Sequence, residues 1–213
     1  MALKAIILDF DGVIVESNAI KHQAFAEIFK DFPGFYRKMM NFHMSHNHMP
    51  RDEKFRYLYK HFLGKADCES EVHSLVRRFR GLTRARVIKS PFVCGAMDFI
   101  RRYSKKMPLY IASATPQSEL KVIVKAKGLS RYFKGVYGAP SEKKDVIRKV
   151  IKREGCRPCQ VLFVGDSPED HNTASVTKVD FIARVSGGCF DGVSVRKYDD
   201  FYGIRSFLEG KKI

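Results

Sequence analysis

The chain has 213 residues, 45% of them hydrophobic, and a formal charge of +16. That length suits one domain of ordinary size with room for an inserted subdomain. No apolar run approaches the ~20 residues a membrane-spanning helix needs, and the first one breaks at Asp9, so it is no signal peptide; a soluble, cytoplasmic protein without a membrane partner is expected. The charge favours an anionic partner, but the basic residues are dispersed, which argues against nucleic acid and for a general field that steers a small anion.

Ala5 to Leu8 is a short apolar run of the kind buried strands show. It ends in Asp9-Phe10-Asp11-Gly12. Two carboxylates this close repel, so they coexist most easily when a cation sits between them or one keeps its proton. Val13 to Glu16 reads as a turn. Ser17-Asn18 can cap a helix on which Ile20, Ala24, Phe25, Ile28 and Phe29 recur at helical spacing; Pro33-Gly34 ends it.

Residues 35–50 break helical periodicity and carry three histidines, His43, His46 and His48. A polar loop or plain surface is the expectation there; a metal site is the minor alternative, since histidine is the commonest transition-metal ligand. Helical spacing resumes at Phe55, Leu58, Tyr59 and Phe62, and again at Val72, Leu75, Val76 and Phe79. Residues 17–86 therefore read as a helical segment, basic by fourteen Lys/Arg to seven Asp/Glu.

After the break at Ser90-Pro91 the pattern alternates. A helix over Gly95–Ser104 precedes a strand over Pro108–Pro116, where Thr115 suits the N-cap and Pro116 the first helical position of the next helix. A short strand over Gly135–Gly138 follows, and then a helix capped by Ser141, with Val146, Ile147, Val150 and Ile151 buried. Gln160 to Ser167 is a strand tipped by Asp166, with Asp170 four residues on. Phe181 to Val185 is the last strand. Strands alternating with helices predict an α/β fold, a Rossmann-like parallel sheet with helices on both faces. Residues 1–16 and 87–213 form this core, and 17–86 the helical insert. The five cysteines are scattered and odd in number, which is no disulfide framework; Cys156 and Cys159 read as two thiols in a loop.

Three strand tips carry polar groups: Asp9/Asp11, Ser113/Thr115 and Asp166/Asp170. In a parallel sheet they share one edge, where open α/β sheets bind ligands. This order resembles the four motifs of the haloacid-dehalogenase (HAD) superfamily: Asp9-x-Asp11-Gly12, then Ser113, then a lysine, then Gly165-Asp166-Ser167-x-x-Asp170. For the lysine, Lys144 fits best because Asp145-Val146-Ile147 follows it, with Lys143 as the alternate. The helical insert looks like the cap of the phosphoglycolate-phosphatase-like branch. Many relatives carry asparagine where this chain has Ala114.

The resemblance implies a Mg²⁺-dependent phosphatase of a small phosphorylated metabolite. Asp9 would be the nucleophile and Asp11 the general acid and base. The implied metal ligands are the Asp9 and Asp166 carboxylates and the Asp11 main-chain carbonyl, with Asp170 outside them or an occasional direct ligand. Gly12, Ser113, Ala114 and Lys144 would hold phosphate. The resemblance also implies a cap that chooses the substrate, for which Asn47, His48, Arg51 and Lys54 are the candidates. An aspartate at position 11 points to phosphatases and phosphomutases and away from dehalogenation. The alternatives are a sugar-phosphate mutase and, of another class, a nucleic-acid-binding protein or a phosphatase of nucleic-acid ends.

Overall fold

The structure is a computed structural model that describes residues 2–46, 49–186 and 190–210. The chain divides into two compact units, Met1–Glu16 with Ser90–Ile213, and Ser17–Lys89.

Among the described residues the first unit is built on a six-stranded sheet. Its strands are β1 (Ala5–Leu8), β2 (Leu109–Pro116), β3 (Gly135–Ala139), β4 (Val161–Gly165), β5 (Asp180–Arg184) and β6 (Lys197–Tyr198). They lie in the order β3-β2-β1-β4-β5-β6, every pair parallel. β1 is central, with Ile7 opposite Tyr110 on one side and Phe163 on the other. A parallel sheet needs cover on both faces, and alternate residues show it. Ala5, Ile7, Tyr110, Ala112, Phe163 and Ala183 share a buried cluster with Val146, Ile147 and Val150 from a helix over Lys143–Glu154. Ile6, Leu8, Ile111, Leu162, Val164 and Ile182, pointing the other way, are equally buried.

Among the described residues the second unit holds four helices: α1 (Asn18–Phe29), α2 (Tyr36–Ser45), α3 (Arg51–Phe62) and α4 (Glu69–Lys89). Phe25 and Phe29 of α1, Met39 of α2, Phe55 and Leu58 of α3 and Val72 and Phe79 of α4 make its core. The remaining helices of the first unit are α5 (Ala96–Tyr103), α6 (Gln117–Ala126), α7 (Lys143–Glu154), α8 (Pro168–Thr177) and α9 (Phe201–Gly210).

Three local expectations change. Part of the expected 35–50 loop is helix α2, because Met39, Phe42 and His43 turn inward together at i, i+3 and i+4. β2 reaches Pro116 as expected, but Pro116 and not Thr115 takes the N-cap position of α6. The N-cap of α7 is Glu142 rather than Ser141.

Candidate active site

Asp9 follows β1 directly, and its N–H donates to the Val164 oxygen of β4 at 2.9 Å. That bond continues the ladder one residue past the strand and fixes the carboxyl at the sheet edge. Asp9 is 6% exposed. Its Oδ1 accepts the Phe10 N–H at 2.6 Å and its Oδ2 accepts Lys143 Nζ at 2.7 Å. The same ammonium donates to Asp170 Oδ1 at 2.6 Å. Asp170 Oδ2 accepts the Ser167 hydroxyl at 2.8 Å, while Ser167 Oγ caps α8 by accepting the Asp170 N–H at 3.2 Å. Gly165 is required here, since a Cβ on it would lie 2.4 Å from the Asp170 Cβ.

Asp9, Asp166 and Asp170 each offer an oxygen within 4.8 Å of the others. Three carboxylates against one ammonium leave excess negative charge. The Asp9 carboxyl is raised to about 8: burial pushes it up most, Lys143 pulls it down, and Asp170 and Asp166 push it up. Burial opposes the charge on Lys143, but Asp170 and Asp9 outweigh it and hold its pKa above the ordinary lysine range. One ammonium shared by two acids cannot neutralise both. Hard oxygen donors lacking positive charge are the donor set Mg²⁺ takes, so these residues fit such an ion.

Asp11 is bonded from the tip of β2. Its Oδ2 accepts the Thr115 hydroxyl at 2.9 Å and the Ser113 hydroxyl at 3.5 Å. Ser113 Oγ in turn accepts the Thr115 N–H at 3.1 Å. Two hydroxyls from the tip of β2 thus hold the second carboxylate of the first motif. Thr115, read from the sequence as a helix cap, serves this purpose instead; its alternation with Ser113 on one face of a strand was the available signal.

The lysine at the site is Lys143. Lys144 Nζ pairs with Glu142 at 2.6 Å, and its side chain is 46% exposed. The reason is helical phase. Val146, Ile147 and Val150, buried on α7, stand three, four and seven residues after Lys143, so Lys143 shares their inward face. Gly12 turns with φ +74, a conformation glycine adopts freely. Ala114 is exposed at the end of β2.

The other candidates lie in or beside the helical unit. Asn47 and His48 fall outside the described residues. Arg51 lies over the Phe79 ring at 5.2 Å. Lys54 is 1% exposed; its Nζ is 2.9 Å from His43 Nδ1 and 4.8 Å from the Phe25 ring centre. His43 Nε2 is 2.7 Å from His22 Nδ1. Burial, then Lys54 and His22, drive the His43 pKa down to about 3. Burial alone lowers Lys54 to about 8. His43 is thus part of a buried amine–imidazole chain. Among the described residues the acid trio at the sheet edge is the group that could hold a metal.

No curated protein matches the chain in sequence. Solved structures share its fold. One is a predicted phosphoglycolate phosphatase from Haemophilus somnus, at 18% identity, TM-score 0.75, covering 98% of this chain and 99% of that one. Another is the HAD-hydrolase YfnB from Bacillus subtilis bound to magnesium, at 16% identity, TM-score 0.74, covering 98% and 100%. A third is CbbY from Rhodobacter sphaeroides in complex with xylulose-(1,5)bisphosphate, at 17% identity, TM-score 0.73, covering 93% and 95%. The model of the haloacid dehalogenase-like hydrolases matches residues 6–184, from inside β1 to the end of β5, and on that match the chain belongs to the haloacid dehalogenase-like hydrolase family.

Proposed function

We propose that this protein is a Mg²⁺-dependent phosphatase of a small phosphorylated metabolite, with Asp9 as nucleophile. The observation that carries the reading is the division of labour between two aspartates one residue apart. Asp9 is held by Lys143 beside Asp166 and Asp170, whereas Asp11 is held by Thr115 and Ser113. One is set among charges for attack, the other among hydroxyls for proton transfer.

Phosphate monoesters hydrolyse among the slowest of uncatalysed reactions, with enzymatic accelerations of up to ~10²¹. Covalent catalysis divides the task. An Asp9 oxygen forms a bond to phosphorus as the ester P–O bond breaks, and Asp11 gives its proton to the departing alkoxide. Water then attacks the phosphorus of the aspartyl-phosphate, its proton passes to Asp11, and the bond to Asp9 breaks to release inorganic phosphate. Mg²⁺, held by the Asp9 and Asp166 carboxylates and the Asp11 main-chain carbonyl, would neutralise the phosphoryl oxygens and lower the charge barrier to attack.

Lys143 keeps Asp9 oriented and offsets charge at the phosphoryl group. Asp170, fully buried and bound to both Lys143 and Ser167, holds that lysine in place. The formal charge of +16 steers an anion toward the protein. Among the fold neighbours, one is a predicted phosphoglycolate phosphatase and another was solved in complex with xylulose bisphosphate, and both compounds are small phosphorylated metabolites. The helical unit is the proposed cap, with Arg51 as its candidate specificity residue; Lys54, expected from the sequence to touch substrate, is instead 1% exposed and bonded to His43 inside that unit. The same machinery serves a phosphomutase, so the test must read net release. A panel of phosphorylated metabolites is incubated with the protein and Mg²⁺. Phosphate release that requires Mg²⁺ and vanishes in Asp9→Asn is expected; release that survives the substitution would sink the proposal.

A further inference from the structure

Arg184 ends β5 on the edge that carries the site: its neighbour Ala183 pairs with Gly165, the residue before Asp166. It is 6% exposed, and each of its three side-chain nitrogens donates a hydrogen bond. Nη1 donates to the Gly12 main-chain oxygen at 3.0 Å and to Glu16 Oε2 at 3.1 Å. Nη2 donates to Glu16 Oε1. Nε donates to the Asp199 main-chain oxygen at 3.1 Å. One guanidinium therefore joins the turn after Asp11, the residue at which the chain leaves this unit, and the segment behind β6.

The turn is shaped to be held from that side. The Gly12 N–H donates to the Val15 oxygen and the Ile14 N–H to the Phe10 oxygen, both at 2.9 Å. These bonds close the turn but leave the Gly12 carbonyl to Arg184. Glu16 is pinned from its other end, where its N–H donates to the Pro91 oxygen at 3.0 Å. The bidentate fork requires a planar guanidinium, which lysine cannot imitate. None of the Arg184 contacts reaches Asp9 or Asp11 themselves.

The geometry points to Arg184 and Glu16 as a positioning pair that sets the Asp11 turn for proton transfer and for presenting its main-chain carbonyl to the cation. This rests on the reading of Asp11 as acid and base. A reacting group misplaced by about 1 Å can cost on the order of 10²-fold in rate.

The test assays Arg184→Lys, Glu16→Gln and the double variant with Mg²⁺ and para-nitrophenyl phosphate, alongside thermal unfolding. For each single variant kcat is expected to fall at least ~10-fold while KM moves less than about threefold. The Mg²⁺ concentration for half-maximal activity rises, and the double variant is no worse than the poorer single one, because both lose the same contact. Unchanged kcat in folded protein, with only a lower melting point, overturns the inference, as do losses that simply add. Should Arg184→Lys not fold, Glu16→Gln, at a side chain 40% exposed, decides by itself. A wild-type protein without Mg²⁺-dependent phosphatase activity overturns the phosphatase reading and this inference together. An active wild type with unaffected Arg184 and Glu16 variants overturns this inference alone.

Discussion

Replacing Lys143 by methionine removes the one ammonium that Asp9 and Asp170 share while keeping most of the side-chain volume. The bonds lost are 2.7 and 2.6 Å long. At ~4 Å and an effective dielectric of ~20, a charge pair is worth about 4 kcal/mol, and removing one partner of a buried pair costs about 3–5 kcal/mol. With every 1.36 kcal/mol a factor of ten, a loss of that size at the phosphoryl group lowers kcat about 10³-fold. Lys144→Met is the control. Its ammonium is exposed and pairs only with exposed Glu142, and pairs of that kind contribute little, so kcat should stay within about twofold. Steady-state phosphate release from an aryl phosphate, with circular dichroism to confirm folding, reads both variants. Activity lost in Lys144→Met and kept in Lys143→Met would refute the assignment and the helical-phase argument behind it.

Asp9→Asn should raise the melting point of metal-free protein at pH 8. The Asp9 carboxyl is raised from 3.8 to about 8 in the fold, so the native state binds a proton that the unfolded chain has lost between those values, and stability falls as pH rises through that window. The asparagine variant should lose this slope, gain on the order of a few kcal/mol at pH 8, and converge with wild type near pH 4; parallel curves would count against the burial argument. Lys54→Met should stabilise the protein at pH 7, because the lysine is lowered to about 8 in the fold and stability rises as pH climbs from there toward its unfolded value near 10.4. The gain should fade above that pH in urea titrations, and a loss at pH 7 would show that the chain through His43 and His22 outweighs burial. Thr115→Val removes the hydroxyl 2.9 Å from Asp11; kcat should fall about 10–100-fold with Mg²⁺ affinity retained, whereas weakened Mg²⁺ binding would place Thr115 with the metal cluster.

Much of this site was legible because it sits where strand pattern and chemistry coincide. Ala5 to Leu8 reads as a buried strand, and two aspartates at its end coexist most easily with a cation between them or with one proton kept. Asp166 after Val161–Gly165 repeated the logic one strand away, and the sheet brings the two together as neighbours. The choice between Lys143 and Lys144 could have been made from helical phase against Val146, Ile147 and Val150; the spacing to Asp145 pointed one residue too far. Thr115 was visible as a strand-tip hydroxyl beside Ser113, but Thr-Pro is also a good helix start, and its bond to Asp11 depends on β1 lying next to β2. Helix α2 was obscured by its methionines and histidines, whose burial depends on partners from α1 and α3. Two-residue β6 has no periodicity to read. Arg184 looked like any strand residue, since its bonds to Gly12 and Glu16 reach chain segments more than 160 residues away.

The central claim is that phosphate passes through Asp9, and acid-quenched single-turnover samples test it most directly. The wild-type protein is mixed with Mg²⁺ and a phosphorylated substrate, stopped within the first turnover, digested, and the peptide containing Asp9 is weighed by mass spectrometry. A phosphoryl group on Asp9 that forms and decays at the rate of turnover, and is missing in Asp9→Asn, is the predicted result. Full turnover with Asp9 never phosphorylated, or with the phosphoryl group on another residue, would contradict it.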